Sequence, residues 1–530
     1  MKVRSDIVRM YKEIHGWVGI TAGMALFVAF FAGAVTMFQE PLQRWASPPT
    51  TLPAPVSLER TPELVTKVLA AHPEAAKQYD VHLNTGPDEP ARVSWRPRSK
   101  KGSHGGERIT YYAALAQDGS LVVQQNVPSP VGRFVNLLHR KVGVMIDGAA
   151  SDWLMGGVAL LYAIALVSGT IVLLPSLVKD IFAMRVGQNV KRMWMDLHNV
   201  LGFMSLPFHL VIALTAVVFA FNDQFYAFQE ATYSPGRERS EAVAPPDPAS
   251  APISPVAALS RVKAQLPGFE PAIFSYSAGR KGVSLRVRGF DPRYGNRGAV
   301  YTYAMLNPYT GTVTNTDFVG GRQDGWGAAV TAFFTLHFGS YGGTPIRWTY
   351  FLLGLSGAFL FYSGNLLWVE SRRHRERRNS GPVEQTRATK VLAALTVGVP
   401  LGCMAGVAVT IAAAKPLGAA ATAGTHSLIY HAVFLAFTGW ALLRGGARAS
   451  LELIPGAALA MLTIPLATIA FAASHPSRVP LVDAIAVLAA IGLAMTWKPT
   501  QRRVRLGRSD SVWSAKADPV RNEAAPEPAE

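Results

Sequence analysis

Four histidines stand in short motifs at the ends of long apolar segments, and histidine is a residue type that binds metals. The motifs are EIHGWVG at His15, NLLHRKVG at His139, DLHNVLG at His198 and FTLHFGSYGG at His337. A six-coordinate b-type haem takes one nitrogen from each of two neutral imidazoles, and the other N–H of each ring needs an acceptor. The four histidines are therefore candidate axial ligands of haem iron, although a histidine at a membrane boundary can equally be an interfacial polar residue.

The order of these motifs repeats along the chain. His15 and His139 are 124 residues apart, and His198 and His337 are 139 residues apart. Two halves with two membrane crossings each share an orientation, so a duplication would relate them by a pseudo-twofold axis along the membrane normal. Such an axis predicts that His15 faces His198 on one side of the membrane and that His139 faces His337 on the other.

A further histidine, His209, follows His198 by 11 residues. On a straight helix this spacing leaves a rotation of about 20° and a rise of about 16 Å, which predicts a shared face and a position near mid-membrane for His209. An ionisable residue at that depth is a functional candidate. We interpret His209 as a polar residue packed beside a porphyrin, with a reserve role as an alternative ligand of the outer haem.

The chain has one cysteine, Cys403, which lies in an apolar run. A single cysteine excludes a disulfide framework, an iron–sulfur cluster held by cysteines and a covalent C-x-x-C-H haem attachment. Any redox centre must therefore depend on other ligands, and histidine is the remaining candidate.

The elements that must position the histidines are membrane spans. Of the 530 residues, 49% are hydrophobic and only 16% are charged, against roughly 25% charged in soluble domains. This composition excludes a disordered chain and argues against a single soluble globule. Eight apolar runs are long enough to cross about 30 Å of hydrocarbon. They are residues 16–38, 153–178, 197–221, 348–369, 391–414, 427–443, 453–474 and 479–497.

The basic residues predict the orientation of these spans. The 51 Lys and Arg residues outnumber the 34 Asp and Glu residues, and they cluster before residue 15, at 179–192, at 371–390 and after Trp497. By the positive-inside rule both termini are cytoplasmic, and the loops 39–152 and 222–347 lie outside. The net charge of +17 is therefore interpreted as a topology signal and not as a sign of a nucleic-acid partner.

Each outer loop has the pattern of a small α+β module. Each opens with a Pro/Ser-rich linker and continues with a short helical pattern and several alternating segments. The Asp118–Gly119 pair and the PYTG sequence ending at Gly311 are turn signals between strands. The predicted fold is an all-α polytopic membrane protein, with about eight transmembrane helices, that carries two α+β modules outside the membrane.

These patterns divide the chain into consecutive segments. They are a leader with the first span at 1–38, an outer module at 39–152, spans two and three with their connection at 153–221, a second outer module at 222–347, the fourth span at 348–369, a basic loop at 370–390, four accessory spans at 391–497 and a tail at 498–530. No chemical motif marks the accessory spans. Lys415 and Glu452 at their ends are interpreted as solvated boundary residues.

The ordered motifs resemble those of the PepSY-associated transmembrane proteins, a family that includes inner-membrane ferric-siderophore reductases of Gram-negative bacteria. The resemblance covers about residues 5–380 and rests on HGWVG at His15, LLHRKVG at His139, DLHNVLG at His198, the run LHFGSYGGTPIRWTYFLLGLSGAFLFYSGNLLW from Leu336, and LNPYTGTV. It implies a four-helix haem core with two b haems and two PepSY-like periplasmic modules, in a multi-pass protein of the bacterial inner membrane. By this resemblance His15 and His198 would hold the cytoplasmic-side haem, and His139 and His337 the periplasmic-side haem.

We expect an oxidoreductase that carries electrons across the membrane to reduce a ferric siderophore in the periplasm. Siderophores bind ferric iron through hard oxygen donors far better than ferrous iron, so one-electron reduction releases the metal. The chain has no G-x-G-x-x-G fingerprint after a predicted strand, so the electron donor is a separate cytoplasmic partner or a quinol. Residues expected to meet an anionic aromatic chelate are Trp95, Arg96, Arg98, Lys100 and Lys101 in the first module and Tyr294, Tyr301, Tyr303 and Tyr309 in the second.

Two other classes of function stay open on the sequence alone. PepSY modules elsewhere are associated with peptidase inhibition, so one alternative is a haem-free regulatory or partner-binding membrane protein. The other alternative is a transporter of iron or siderophore, in which the histidines act as relay groups.

Overall fold

The structure is a computed structural model, and it describes most of the chain. The described residues are 4–86, 89–97, 109–126, 128–144, 149–177, 190–233, 250–279, 282–380, 383–474 and 479–515. The chain divides into two compact units, which are treated separately here. The first comprises Met1–Ala46, Ser129–Phe221 and Tyr350–Glu530, and the second comprises Ser47–Pro128 and Asn222–Thr349.

Helices and strands are numbered in chain order through both units. The α-helices are α1 (Ser5–Thr36), α2 (Gln39–Ala46), α3 (Thr61–Ala71), α4 (Val131–Arg140), α5 (Ala149–Leu173), α6 (Val190–Met204), α7 (Leu206–Ala220), α8 (Asn222–Tyr233), α9 (Pro255–Gln265), α10 (Gly325–Phe338), α11 (Gly343–Ser380), α12 (Arg387–Leu417), α13 (Ala423–Arg444), α14 (Gly446–Ala470) and α15 (Pro480–Leu506). Short 3-10 helices are present at Pro73–Lys77, Leu174–Ser176 and Gly418–Ala420. The strands are β1 (Gln78–His82), β2 (Val93–Trp95), β3 (Thr110–Leu115), β4 (Leu121–Asn126), β5 (Glu270–Gly279), β6 (Gly282–Phe290), β7 (Thr302–Leu306) and β8 (Val313–Asn315).

Among the described residues, seven helices are long and apolar enough to cross a membrane, and a bent pair raises the number to eight. The seven are α1, α5, α11, α12, α13, α14 and α15. The bent pair is α6 and α7, which meet at 67° within the third predicted span. Pro207 lies in the first turn of α7, where its ring removes a backbone N–H and interrupts the helix. The expected multi-pass membrane protein is confirmed.

Helices α12 and α13 pack closely along a line of glycines. Gly398, Gly402 and Gly406 are four residues apart, so they share one face of α12. A Cβ atom at Gly402 would stand 3.0 Å from the backbone oxygen of Phe434, and one at Gly406 would stand 2.9 Å from the Tyr430 ring. Small residues at this spacing let the backbones of membrane helices approach each other.

A polar cluster joins α2 to the accessory helices. Lys415 is only 1% exposed, and its ammonium lies 4.3 Å from the centre of the Trp45 ring. The Trp45 indole N–H donates to Thr468 at 3.1 Å and to Asp483 at 3.2 Å. The prediction that Lys415 is solvated is therefore wrong, because a tryptophan, a threonine and an acid from distant parts of the chain surround it.

The second unit holds one antiparallel sheet of eight strands. The strand order is β4-β3-β2-β1-β5-β6-β7-β8, so the strands of the two outer loops join through the β1–β5 pair. Tyr79 stands opposite Tyr276 in this pair, and the two rings stack with their centres 4.9 Å apart. The predicted turns are present between β3 and β4 and between β7 and β8. Gly119 and Gly311 occupy them with φ angles of 80° and 72°, which favour glycine.

The core of this unit lies between the sheet and its helices. Leu64 and Val68 are four residues apart on one face of α3 and are almost completely buried. They belong to the same apolar cluster as Val262 of α9 and Phe274 and Val287 of the sheet. The helical and alternating patterns of the two outer loops thus contribute to one shared core.

A buried polar cluster adjoins strand β1. His82 is 2% exposed, with Nε2 at 2.8 Å from Ser94 Oγ and Nδ1 at 3.1 Å from Glu89 Oε2. Tyr112 donates a hydrogen bond to the same oxygen of Glu89 at 3.2 Å. Burial raises the pKa of Glu89 to about 7 and lowers the pKa of His82 to about 4, because each charged form loses hydration. Glu89 therefore changes its charge near neutral pH.

We expect Glu89→Gln to stabilise the protein relative to the wild type as the pH rises. Folding raises the pKa of Glu89 from 4.5, so its contribution to stability is complete below pH 4.5 and is lost as the pH rises through about 7. Glutamine stays neutral throughout. The difference in free energy of unfolding between variant and wild type should rise by about 1 kcal/mol from pH 5 to pH 8. This is less than the pKa shift alone would give, because 34% of the Glu89 side chain is exposed and solvent screens its charge.

The measurement is thermal unfolding of the full chain in detergent, followed by tryptophan fluorescence at each pH. Because the pKa of His82 is lowered, its contribution to the stability of the protein is lost as the pH falls. Both proteins contain His82, so the quantity to compare is the difference between variant and wild type. Glu270→Gln, at an exposed strand position, is the matched control. A difference between Glu89→Gln and wild type that stays constant with pH would contradict this prediction.

Candidate functional site

His15 lies in α1, and its ring reaches the neighbouring helix α5. Its Nδ1 is 2.8 Å from the backbone oxygen of Ala165. Because a carbonyl oxygen only accepts, Nδ1 carries the hydrogen and Nε2 keeps its lone pair. Gly169 stands one turn further along α5 and makes room for the ring, since a Cβ atom there would be 2.8 Å from His15 Cε1. The fold therefore holds His15 in the tautomer that a metal ligand needs.

His139, at the end of α4, is held in the same way, and its acceptor lies in α1. Its Nδ1 is 2.8 Å from the backbone oxygen of Ala29, and a Cβ atom at Gly33 would stand 2.8 Å from the same nitrogen. As with His15, the ring donates to a carbonyl and lies over a glycine four residues further on. Ala29 follows His15 by 14 residues, a rise of about 21 Å along α1. The two histidines are therefore anchored at two well-separated levels of one helix.

His198, in α6, is held by a side chain of α11. Its Nδ1 lies 2.9 Å from Ser363 Oγ, and that hydroxyl donates its own hydrogen to the backbone oxygen of Leu360 at 3.0 Å. The hydroxyl oxygen therefore accepts from His198, and Nδ1 again carries the hydrogen. Gly364 flanks the ring, with an added Cβ atom 3.7 Å from His198 Cε1. His198 thus has the same tautomer as His15.

The structure brings His15 and His198 together. Their ring centres are 6.4 Å apart, and the ring planes are inclined by 74°. Two metal–nitrogen bonds of about 2 Å each, together with the distance from each nitrogen to the centre of its ring, add up to about 6 Å. Since Nδ1 of each ring is engaged, Nε2 is the nitrogen left on each side for a metal ion. The pair fits two axial ligands of one iron.

Two facing imidazoles are the protein donor set that a b-type haem would need. In the part of the chain that the structure describes, no group of three His, Cys, Asp or Glu side chains has the arrangement that holds a metal ion. A protein site for a bare ion such as zinc needs at least three protein ligands. A b-type haem brings four nitrogens of its own and takes only two from the protein.

His337 belongs to the second unit, whereas the other three candidate histidines belong to the first. It lies near the end of α10, which stops at Gly339 with a left-handed φ of 61°. The side chain is half-buried, with its ring centre 5.7 Å from that of Phe338. The pairing of His337 with His139 stays a prediction.

His209 is buried in α7 among aromatic rings. It is 2% exposed, and its Nδ1 lies 2.6 Å from the hydroxyl of Tyr162. Its Nε2 is buried and has no hydrogen-bond partner among the described residues. A buried nitrogen without a partner is costly, so this atom fits a place beside a bound prosthetic group. The prediction that His198 and His209 share one face of a straight helix is wrong, because the span bends by 67° between them.

The long apolar helices, the separate sheet unit and the imidazole pair define a multi-pass membrane protein with a candidate metal-binding core. A family model described as the PepSY-associated TM region matches residues 12–371, well over half of the chain. The chain belongs to this family, and the predicted family is confirmed. A comparison with curated proteins gives no match. Helices α12 to α15 lie beyond the matched residues.

The residues expected to meet a chelate differ in how far they are exposed to solvent. Trp95 is 2% exposed because its ring packs in the apolar core of the second unit and stacks on Tyr111 with ring centres 5.4 Å apart, so its prediction as a surface residue is wrong. Tyr303 lies under the guanidinium of Arg286, which is 4.6 Å from the ring centre. Tyr294 is 44% exposed. Arg98, Lys100 and Lys101 lie outside the described residues.

Sequence analysis missed the groups that hold the imidazoles. Two of them are backbone oxygens, and the third is the hydroxyl of Ser363 in the middle of a membrane helix. The only signal is an A-x-x-x-G spacing, at Ala29–Gly33 in α1 and at Ala165–Gly169 in α5. This spacing is common in membrane helices, so it does not identify a histidine partner by itself.

We expect Gly169→Leu to destabilise the protein, because the new side chain would occupy the space of the His15 ring. Overpacking of this kind costs about 1–3 kcal/mol. Gly157→Leu is the matched control in the same helix, since a Cβ atom there meets nothing within 4 Å. Thermal unfolding in detergent should show a lower midpoint for the first variant only, and equal midpoints would contradict the close approach of His15 to α5.

Proposed function

We propose that this protein is a membrane electron-transfer protein that holds two b haems and reduces a ferric siderophore on the periplasmic side. The observation that carries the proposal is the His15–His198 pair, with ring centres 6.4 Å apart and Nδ1 of both rings engaged by neighbouring helices. Bound haem would supply a one-electron redox centre in the apolar core. The proposal makes the protein an oxidoreductase of the inner membrane with cytoplasmic termini.

The protein residues have distinct roles in this proposal. His15 and His198 would hold the inner haem, and Ala165 and Ser363 fix the orientation of their rings by accepting from Nδ1. His139, oriented by the Ala29 carbonyl, would hold the outer haem together with His337, its predicted partner. The hydrogen bond that each imidazole donates raises its basicity, which would tune the redox potential of a haem held there.

An aromatic group supports the outer site. Phe30 follows Ala29 in α1, and its ring centre lies 5.4 Å from that of Tyr162 and 5.5 Å from that of His209. The same ring lies 5.2 Å from Phe361 of α11. These rings exclude water next to the level where His139 is anchored. His209, with its unpartnered Nε2, is the polar member of this group and the reserve ligand.

A ferric siderophore is the substrate class that suits a one-electron donor facing the periplasm. The chelate holds ferric iron through hard oxygen donors, and ferrous iron is bound far more weakly. Delivery of one electron therefore releases the metal and leaves the chelator intact. The electron comes from a cytoplasmic donor or a quinol, and the spanning helices provide the path across the bilayer.

We expect the reduced-minus-oxidised absorption spectrum of purified protein to show b-type haem bands. His15→Ala and His198→Ala should remove about half of the haem, because each takes away one of two ligands of the same iron. His139→Ala and His337→Ala should remove the other half. His72→Ala is the matched control, since His72 lies in the second unit, where it contacts Glu74 and Trp95 and 32% of its side chain is exposed.

Two results would contradict the haem proposal. Well-folded wild-type protein without haem would rule out the reductase and favour a regulatory or transport role. Full haem content in all four alanine variants would rule out the ligand assignment while leaving haem binding intact.

We expect dithionite-reduced protein to be reoxidised by its ferric siderophore faster than by ferric citrate. Stopped-flow absorption at the haem bands measures this rate for a set of hydroxamate, catecholate and mixed chelates. A rate at least tenfold above the citrate control identifies the substrate class. Equal rates for all chelates would show that the siderophore assignment is wrong even where haem is bound.

A further inference from the structure

A cavity of about 550 Å³ lies in the first unit at the basic end of the spanning helices. Its walls come from α6, α11 and α15 and from the segment 507–513 that follows α15. Its size falls in the range of about 300–1,000 Å³ that is usual for small-molecule sites. By the positive-inside rule this end of the helices is the cytoplasmic one.

The charge of the lining favours an anion. Four cationic side chains line the cavity, and Glu370 is the one carboxylate among the lining residues. The cations are Lys191, Arg373, Arg503 and Arg508. Arg373 is engaged by acids, because its guanidinium donates to Glu370 and to Asp510, each at 2.8 Å. Arg503 also lies 3.9 Å from Glu370, and the four cations against one lining carboxylate give the lining a net positive charge.

The lining also carries two indole rings. Trp194 stacks on Phe359 with ring centres 5.5 Å apart, so its plane is fixed. Trp513 is 6% exposed, and its indole nitrogen has no hydrogen-bond partner among the described residues. A buried N–H without an acceptor costs about 1–3 kcal/mol, and a ligand with an acceptor atom would remove that cost.

We propose that this cavity binds a small phosphate-bearing ligand with a flat aromatic ring, of the size and class of a mononucleotide. The phosphate lies near Arg503 and Arg508, and the ring lies against Trp194 and Trp513. An acceptor atom of the ring takes the hydrogen of the Trp513 indole. A lipid headgroup shares the phosphate chemistry, but an acyl chain offers no acceptor to that N–H and no ring to the indoles.

Part of this cavity lies outside the family region. The walls from Lys191 to Glu370 fall within the matched residues 12–371, whereas Arg503, Arg508 and Trp513 lie more than 100 residues beyond them. The segment after α15 therefore completes a site that the family region alone does not contain.

The cavity also lies close to the candidate haem ligand His198. Trp194 precedes His198 by four residues on α6, a rise of about 6 Å. A ligand here is thus placed on the side of electron input. That relation rests on the proposed function, whereas the binding itself does not.

The test is isothermal titration calorimetry on the full chain in phosphatidylcholine nanodiscs. The probes are flavin mononucleotide and adenosine monophosphate, each compared with its phosphate-free nucleoside, riboflavin or adenosine. We expect at least one nucleotide to bind tenfold or more tightly than its phosphate-free form. Arg508→Gln should weaken nucleotide binding about tenfold and leave the nucleoside unaffected, since it removes a phosphate contact.

Matched variants separate this site from general charge effects. Arg505→Gln removes a neighbouring exposed cation outside the lining and should change nothing. Trp513→Leu should weaken nucleotide and nucleoside alike, because it removes the ring contact and the N–H donor. Binding should persist in His198→Ala, so failure of the haem proposal leaves this one standing.

Three results would overturn the proposal. The first is equal binding of each nucleotide and its nucleoside, or no binding of either. The second is equal weakening by Arg505→Gln and Arg508→Gln, which would indicate a diffuse charge effect. The third is loss of nucleotide binding when phosphatidylglycerol is added to the nanodiscs, which would assign the cavity to a lipid headgroup.

Discussion

The hydrogen bond from a histidine ring to an acceptor on the next helix is the interaction on which the membrane core depends. His15 donates to Ala165 and His139 donates to Ala29, both at 2.8 Å. Inside a bilayer no water competes for these groups, so an unpaired imidazole N–H would be costly. Each bond therefore fixes the tautomer of the ring and, at the same time, the relative position of two helices.

These bonds require helix backbones to approach closely, and that requirement explains where the glycines lie. Gly169 and Gly33 each stand one turn beyond an accepting carbonyl, where any side chain would overlap the imidazole. Gly402 has the same role between α12 and α13, where it contacts the backbone of Phe434. Membrane helices gain little from burying apolar surface against each other, so close packing and hydrogen bonds have to hold them together.

Local patterns predicted the spans, the histidine motifs and the turns at Gly119 and Gly311, because each depends on residues close together in the chain. The features that the sequence did not predict depend on distant partners. Lys415 is buried because Trp45, far earlier in the chain, covers its ammonium. The two outer loops share a sheet because β1 pairs with β5, and no local pattern identifies that register. The bend before His209 was not predicted, because Pro207 lies inside an otherwise continuous apolar run that indicates one straight span.

The accessory helices have a structural connection to the candidate haem core through α4, the helix that carries His139. The ring of Phe134 in α4 lies 5.8 Å from the Tyr430 ring, and His431 Nε2 lies 3.2 Å from the backbone oxygen of Gly143. Tyr430 also packs over Gly406, so its position depends on the line of glycines in α12. An amphipathic helix as short as α4 is not stable alone, since helices under about 12–15 residues are marginal in water. The accessory bundle thus supports α4 on one side while α1 holds it on the other, and the orientation of the His139 ring depends on both.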